Sequence, residues 1–307
     1  MGDSANTGLM PPANSRRAPA ARGLLGKIRT TLEMIKFEHS IFALPFALVG
    51  AMLAVHGWPA AWQMLWLIVA MGGARSAAMT FNRIADRKFD AQNPRTKMRA
   101  LPAGRLSLRF AAGFTVVSCA LLVLAAYELS PLAFKLSPLA IAILLLYSYT
   151  KRFTLLSHVV LGICDGLSPI AAWIALRNDF TLSVLLLGAA VAFWVGGFDL
   201  IYACQDVEFD RRVGIHSLPQ RYGIRAALIA SAVSHAAMLA LLLVVARMEH
   251  LGWLALAGLA VVAVLLAYEH TLVKPSDLSR LNAAFFTVNG YIGVLFYVTW
   301  AGDLLIH

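Results

Sequence analysis

The sequence predicts an all-α, polytopic membrane protein, and three properties of its composition support this fold class. Hydrophobic residues account for 60% of the 307 positions, the mean hydropathy is +0.72, and charged residues account for only 14%. A soluble domain carries about 25% charged residues. One membrane-spanning helix needs about 20 apolar residues, so the apolar content is enough for about nine spans. These proportions exclude a soluble enzyme, a nucleic-acid-binding domain and a disordered chain.

Nine apolar runs of about 20 residues define the predicted spans in order along the chain. They cover residues 38–57, 62–82, 107–127, 131–150, 155–176, 181–202, 225–246, 251–269 and 283–303. Segments rich in charged or turn-forming residues separate most of these runs. Residues 1–28 are rich in Ala, Pro, Ser and Arg and lack a continuous apolar run, so they predict a disordered cytoplasmic tail and not a signal peptide. Residues 29–307 are predicted to form a single membrane domain.

The distribution of positive charge predicts the orientation of the spans. Of the 26 Lys and Arg residues, only Lys135, Arg177 and Arg247 fall on one side, and Arg75 falls within a span. All the others lie in the N-terminal segment, in the even-numbered loops, or at the span ends next to those loops (Arg109 and Arg225). Because cytoplasmic loops carry the excess of Lys and Arg, we predict a cytoplasmic N-terminus and an outside C-terminus. The net charge of +10 then reflects contact with anionic membrane lipid and not with nucleic acid.

Two acidic motifs follow the second and sixth predicted spans. Asp86 and Asp90 are four residues apart, as are Asp206 and Asp210, and Asn82 lies one turn before the first pair. Residues four apart share a helix face, and two carboxylates on one face repel each other unless a cation lies between them. Mg²⁺ is typically bound by one or two carboxylates together with substrate phosphates. Each pair therefore predicts a Mg²⁺ site for a phosphate or diphosphate, and an even number of intervening spans allows the two sites to face one another.

Basic residues accompany both acidic motifs. They are Arg87, Lys88, Arg95, Lys97, Arg99, Arg211 and Arg212. We expect many of them only to anchor to lipid headgroups. Lys151 and Arg152 stand apart, because they end the fourth span in a very short loop. Two interpretations of this pair remain open: it reaches a diphosphate, or it anchors the span at the membrane surface as cytoplasmic Lys and Arg commonly do.

Three motifs together resemble a known family. The first is Asn82-x3-Asp86-x3-Asp90, followed by Asn93-Pro94-Arg95-Thr96 and Leu101-Pro102-Ala103-Gly104. The second is Tyr147-x3-Lys151-Arg152-x-Thr154, followed by Val159-Val160-Leu161-Gly162. The third is Tyr202-Ala203-Cys204-Gln205-Asp206-x3-Asp210, followed by Gly214-Ile215-His216-Ser217. Their order and spacing resemble those of the UbiA-type intramembrane prenyltransferases over roughly residues 30–300. Within that family, the chain is most similar to the 4-hydroxybenzoate polyprenyltransferases of bacterial quinone synthesis.

The resemblance implies a multi-pass protein of the bacterial inner membrane, with nine helices around a central cavity that opens to lipid and with cytoplasmic cap loops. It implies transfer of a polyprenyl group from polyprenyl diphosphate to 4-hydroxybenzoate, ortho to its hydroxyl, with release of diphosphate, in ubiquinone or menaquinone biosynthesis. The implied Mg²⁺ ligands are Asn82, Asp86, Asp90, Asp206 and Asp210. The implied catalytic residues are these four aspartates and Lys151. The implied substrate contacts include Asn82, Tyr147, Arg152, Asp199 and Tyr202.

Two positions depart from the family pattern. Many members have an acidic residue where this chain has Arg83, which removes one potential metal ligand. Members often have Pro-Gln where this chain has Ser157-His158. The second departure lies near the expected cavity and bears on the choice of acceptor.

Ionisable residues within the predicted spans mark the cavity. Arg75 lies seven residues before Asn82 and eleven before Asp86, so all three share one helix face. An intramembrane Arg costs at least about 2.5 kcal/mol and usually faces the protein interior. We therefore expect Arg75 to bind the acceptor carboxylate or to pair with an acid. Asp165 is expected to mark the cavity or pair with a cation, and His39, at the start of the first span, is a weaker candidate for acceptor contact.

Other functions compete with this interpretation. A transporter would also show intramembrane Asp and Arg residues and Gly-interrupted helices, but it does not explain paired DxxxD motifs beside basic clusters. A CDP-alcohol phosphotransferase also uses Asp motifs at span ends, but its D-x2-D-G-x2-A-R pattern is absent from this sequence. Other acceptors of the resembling family, namely 1,4-dihydroxy-2-naphthoate, homogentisate, haem and chlorophyllide, remain open.

Overall fold

The computed structural model describes residues 23–35 and 43–306, which are mainly helical and include no β-strand. The helices are α1 (Gly23–Met34), α2 (Leu44–Val55), α3 (Ala61–Gln92), α4 (Leu108–Leu129), α5 (Pro131–Thr150), α6 (Ser157–Arg177), α7 (Leu182–Ala203), α8 (Val207–Val213), α9 (Leu218–Tyr222), α10 (Ile224–Met248), α11 (Trp253–Leu272) and α12 (Asn289–Ile306). A 3-10 turn (Cys204–Asp206) joins α7 to α8, and a π-helix (Ala283–Val288) leads into α12. The predicted all-α fold class is confirmed.

Eight helical segments of the described residues are long and apolar enough to cross a membrane, so the chain is a multi-pass membrane protein. These segments correspond to the second to ninth predicted spans. The first predicted span, 38–57, falls on α2, which has 12 residues; residues 36–42 lie outside the described part. The count of nine spans therefore stays a prediction.

Helix α3 continues beyond the predicted end of its span at residue 82 and carries the first acidic motif to Gln92. Arg, Ala and Lys residues in its last turns have good helix propensity. The helix ends at Asn93, which is extended at φ −87° and ψ 120°, because the following Pro94 disfavours the helical conformation there. The first motif therefore lies on one continuous 32-residue helix, which runs ten residues past the predicted end of the span.

Helix α1 was not predicted and begins at Gly23, inside the segment 1–28 that we expected to be disordered. That prediction is wrong for residues 23–28, and residues 1–22 lie outside the described part. Apolar residues after the helix start, including Leu32 and Met34, pack against Leu101 and Leu106 of the loop after α3. Tertiary contact with that loop stabilises a helix too short to be stable alone in water.

The bundle core joins α2, α7 and α12 through aromatic side chains. Phe46 stacks on Phe296 with ring centroids 4.3 Å apart and contacts Trp194 at 4.9 Å, and all three side chains are fully buried. On the other side of the bundle, α3 packs on α4 and α5, while α6 packs on α2 and α7. This arrangement leaves a cavity whose walls include α3, α5, α6 and α7.

Helices α6 and α7 approach each other at backbone contact through glycines. A Cβ atom at Gly162 would lie 2.2 Å from the carbonyl oxygen of Ala192, and one at Gly166 would lie 2.4 Å from that of Gly188. Small residues at such crossings allow close helix packing within membranes. Because both helices line the cavity, this contact also sets the position of its wall.

We expect Gly162→Val to lower the free energy of unfolding by at least about 2 kcal/mol, because backbone atoms cannot move aside as a flexible side chain would. The midpoint of thermal unfolding in detergent measures the effect. Gly113→Val in α4 is the matched control, since a Cβ there meets nothing within 4 Å. If the two variants melt at the same temperature, the close approach of α6 and α7 does not contribute to stability as we infer.

Candidate active site

The cavity has a volume of about 1300 Å³ and gathers most of the predicted site residues on its wall. Those that line it are Arg75, Asn82, Asp86, Asp90, Tyr147, Lys151, Asp165, Asp199, Tyr202, Asp206 and Asp210. Of the predicted residues that lie in the described part, Arg152 alone does not line it. His39 lies outside the described residues.

The first acidic motif occupies the end of α3 with its polar side chains turned inward. Asp86 is 3% exposed and Asp90 is 6% exposed, as expected for residues four apart on one helix face. The Lys151 ammonium forms an ion pair with Asp86 Oδ2, and Arg99 Nη1 donates to Asp90 Oδ1 at 2.7 Å. In each buried carboxylate of this motif, one oxygen is therefore paired with a basic side chain.

The second acidic motif does not lie on one continuous helix, since Asp206 ends the 3-10 turn after α7 and Asp210 lies in α8. Arg95 Nη2 donates to Asp206 Oδ2 at 2.5 Å, and Arg95 Nη1 donates to the Tyr202 hydroxyl at 2.9 Å. Asp210 Oδ2 accepts a hydrogen bond from Ser217 Oγ at 2.9 Å. The loop that follows the first motif thus contacts the second motif through Arg95. The two motifs therefore lie together at one end of the cavity.

Sequence reasoning missed Arg95 and Arg99 as site residues, because it assigned the basic residues of this loop mainly to lipid headgroups. Their side chains instead bind Asp206 and Asp90. The one available signal was the Asn93-Pro94-Arg95-Thr96 segment of the first family-like motif. Proline ends α3 at this point, and the turned chain brings Arg95 back towards the carboxylates.

Arg152 lies away from the cavity wall in the structure, whereas the resemblance implied a contact with substrate. Its Nη2 donates to the carbonyl oxygen of Ala85 at 2.7 Å, and its guanidinium lies 4.8 Å from the ring centroid of Tyr149 and 5.4 Å from that of Phe89. Cation–π contacts of this kind hold an exposed Arg against aromatic faces. Arg152 therefore ties the end of α5 to α3 from outside the cavity.

A second set of ionisable residues lies deeper along the helices. Arg75 is seven residues before Asn82 on α3, about 10 Å along the axis at 1.5 Å per residue. The Asp165 carboxylate on α6 lies within electrostatic range of Arg75 and of Asp199. The His158 ring also faces Asp199, with His158 Nδ1 2.7 Å from Asp199 Oδ2. The sequence marked the His158 position only as a departure from the family pattern.

The donor set fits a hard divalent cation at the acidic motifs. Asp86 Oδ1 and Asp90 Oδ2 are buried and have no hydrogen-bond partner among the described residues, and a buried carboxylate oxygen without a partner is costly. No three Cys, His, Asp or Glu side chains converge on one point within residues 23–35 and 43–306. Substrate phosphate oxygens commonly complete the coordination of Mg²⁺ where a protein supplies one or two carboxylates.

Comparison with known proteins matches this architecture. Residues 43–291 match the model of the UbiA prenyltransferase family. The 4-hydroxybenzoate octaprenyltransferase of Enterobacter sp. (strain 638) is 32% identical over 264 residues, covering 81% of this chain and 90% of the relative. The corresponding protein of Citrobacter koseri is 31% identical, with the same two coverages.

Two solved structures share the fold. The apo structure of a UbiA homolog from Aeropyrum pernix K1 superimposes with a TM-score of 0.79 at 35% identity, covering 87% of this chain and 98% of that one. A UbiA homolog from Archaeoglobus fulgidus, bound to DMAPP and Mg²⁺, has a TM-score of 0.72 at 18% identity and covers 90% of this chain and 99% of its own. With its family match, its curated relatives and its fold in agreement, this chain belongs to the UbiA prenyltransferase family.

Proposed function

We propose that the protein transfers a polyprenyl group from polyprenyl diphosphate to 4-hydroxybenzoate, ortho to the hydroxyl, and releases diphosphate, in ubiquinone or menaquinone biosynthesis. The observation that carries the proposal is the convergence of paired carboxylates and cations at one end of a large cavity within the membrane helices. The names of the Enterobacter and Citrobacter relatives support this acceptor. The bacterial relatives support an inner-membrane location, and the charge asymmetry of the loops supports a cytoplasmic N-terminus.

Asp86, Asp90, Asp206 and Asp210 would hold Mg²⁺, with Asn82 as a further oxygen ligand. Mg²⁺, when bound, neutralises negative charge on a leaving diphosphate. The A. fulgidus structure, which contains DMAPP and Mg²⁺, supports a divalent cation at this fold's substrate site. The unpartnered oxygens of Asp86 and Asp90 support the same placement in this chain.

Lys151, Arg95 and Arg99 would bind the diphosphate oxygens. In the structure each of them forms an ion pair with a carboxylate of the acidic motifs. A cation placed beside a leaving group stabilises the charge that develops on that group. These three residues would therefore favour departure of the diphosphate from the allylic carbon.

The remainder of the cavity would hold the prenyl tail and keep water from the reacting carbon. Phe285 lies 4.2 Å from Tyr202 between ring centroids, and Phe286 lies 6.1 Å from the same ring. All three line the cavity beside the second acidic motif. Excluding water matters here, because water would trap an allylic cation before the aromatic ring attacks it.

Purified protein assayed with prenyl diphosphates and a panel of aromatic acceptors tests the proposal. We expect diphosphate release and a prenylated product with 4-hydroxybenzoate, loss of activity with EDTA, and its return with Mg²⁺. Product formation only with 1,4-dihydroxy-2-naphthoate would contradict the proposed acceptor and would support the proposed prenyl transfer. Transport of a solute without any transfer would contradict the proposed function.

A further inference from the structure

A buried polar network lies between α7, α11 and α12, outside the cavity. It consists of Trp194 in α7, Glu269 in α11 and Asn289 at the start of α12. All three side chains are fully buried, and none of them lines the cavity. An ionisable residue such as Glu269 is expensive within a membrane and usually has a function. The proposed reaction uses none of these residues, so their burial points to a different role.

The hydrogen bonds of the network fix the orientation of the Asn289 amide. Trp194 Nε1 lies 2.8 Å from Asn289 Oδ1, and an indole N–H only donates, so the amide oxygen must face it. The amide nitrogen then donates to Glu269 Oε1 at 2.9 Å. The same nitrogen lies 3.2 Å from the carbonyl oxygens of Ala284 and Phe285. These neighbours are all acceptors, as this orientation requires.

Asn289 thereby holds the π-helix Ala283–Val288 at its C-terminal end. Its backbone N–H donates to the carbonyl oxygen of Phe286, three residues back. Its side chain donates to the carbonyls four and five residues back. A π-helix is rare and occurs mostly as a single turn, often at a functional site. Buried carbonyls need donors, and here Asn289 supplies one from a side chain that Trp194 and Glu269 keep in place.

The π-helix connects this network with the second acidic motif. The Phe285 ring packs on the Tyr202 ring with centroids 4.2 Å apart. The Tyr202 hydroxyl accepts a hydrogen bond from Arg95 Nη1 at 2.9 Å, and Arg95 Nη2 donates to Asp206 Oδ2. Trp194 lies eight residues before Tyr202 on α7, about 12 Å along the axis. The network therefore lies about two turns deeper in the bundle than Tyr202, and Phe285 links the two.

We propose that Asn289 is a positioning residue for the diphosphate site, an inference that rests on the proposed function. By holding the π-helix, Asn289 places Phe285 against the Tyr202 ring. The Tyr202 hydroxyl in turn directs the Arg95 guanidinium to the acidic motifs, where it would bind a diphosphate oxygen. A regular α-helix in this segment would turn Phe285 away from Tyr202, because a π-turn contains more residues than an α-turn.

Inorganic diphosphate tests this role without turnover, and it has no prenyl tail that could touch Phe285 directly. Calorimetry measures its binding to the full-length protein in detergent with Mg²⁺. We expect Asn289→Leu to weaken binding at least about 10-fold, because a hydrogen bond to a charged group such as Arg95 contributes about that much. Size-exclusion chromatography checks that the variant folds.

Thr299→Val is the matched control in the same helix. Thr299 is buried, and its hydroxyl donates to the carbonyl oxygen of Leu295. It lies ten residues after Asn289, about 15 Å along the helix axis. This variant therefore removes a buried hydrogen bond from α12 without touching the network, and its affinity for diphosphate should equal that of the wild type.

Further variants separate positioning from general destabilisation. Phe285→Ala should itself weaken diphosphate binding, and adding Asn289→Leu to it should change the affinity less than about 2-fold, because residues that act through one another are not additive. Glu269→Gln should bind within about 2-fold of the wild type, since its amide oxygen still accepts from Asn289. Glu269→Leu offers no acceptor and should bind at least about 5-fold more weakly.

Three results would overturn the positioning role alone: wild-type affinity in Asn289→Leu, losses that multiply in the double variant, or a loss in Thr299→Val as large as that in Asn289→Leu. If Asn289→Leu does not fold, the two Glu269 variants decide, and equal affinity in both overturns the proposal. If the wild-type protein does not bind diphosphate in the presence of Mg²⁺, the proposed function fails at its diphosphate site, and the positioning role fails with it.

Discussion

Asp86→Ala and Asp206→Ala are each expected to lower turnover by at least about 1000-fold while the protein still inserts and folds. Asp86 presents one oxygen to Lys151 and has a second buried oxygen without a partner among the described residues. Asp206 is held by Arg95 from the loop that follows the first motif. Either substitution removes one proposed metal ligand and leaves a basic side chain without its carboxylate partner. The site would then neutralise the charge of the leaving diphosphate less well.

Glu208→Ala is the matched control for these two variants. Glu208 is an acidic residue two positions after Asp206, but it is exposed and does not line the cavity. It should retain wild-type activity. Turnover is measured as diphosphate release at matched protein levels, and size-exclusion chromatography in detergent checks folding. Near-normal turnover in either aspartate variant would contradict a reaction centre built from both motifs.

Arg75→Leu is expected to raise the KM for 4-hydroxybenzoate by at least about 30-fold, because removing one partner of a buried charge pair typically costs 2 kcal/mol or more. Arg75 shares a face of the continuous helix α3 with Asn82 and Asp86 and lies about 10 Å deeper than Asn82. An Arg fork binds a carboxylate with two parallel hydrogen bonds. Binding of prenyl diphosphate should survive, since the acidic motifs are untouched.

Two comparisons separate acceptor binding from a structural role of Arg75. The wild-type preference for 4-hydroxybenzoate over 4-hydroxybenzamide should disappear in Arg75→Leu. Asp165→Asn, which removes the carboxylate near Arg75, should bind 4-hydroxybenzoate more tightly than wild type. If Arg75→Leu loses prenyl diphosphate binding and keeps acceptor binding, Arg75 belongs to the diphosphate site and the assignment is wrong.

Local sequence patterns were sufficient to predict the membrane-spanning helices and part of the candidate active site. Apolar runs gave the second to ninth spans because the membrane requires internally hydrogen-bonded segments of a fixed length. The spacing of Arg75, Asn82, Asp86 and Asp90 predicted one shared face, because these residues lie on a single helix with 3.6 residues per turn. The resemblance of three motifs pointed to the family that the comparisons then established.

Local patterns did not predict helix α1 or the direction of the Arg152 side chain, because both depend on contacts with loops and neighbouring helices. Helix α1 forms against the loop that contains Leu101 and Leu106, and this contact is not visible in its own composition. The sequence placed Arg152 beside Lys151 without distinguishing their directions. Adjacent residues at the end of a helix point to different sides, so Lys151 faces Asp86 while Arg152 packs on Tyr149.

The sequence by itself determined the fold class, the positions of the second to ninth spans and the two acidic motifs, because hydropathy and helical period act over a few turns of chain. Only the tertiary structure decided which charges meet. Arg95 reaches Asp206 across 111 residues, and His158 reaches Asp199 across 41. Whether residues so far apart in sequence meet depends on how the helices pack. The backbone contact of α6 and α7 at Gly162 brings His158 and Asp199 together. Side-chain spacing along a single helix carries no information about that packing.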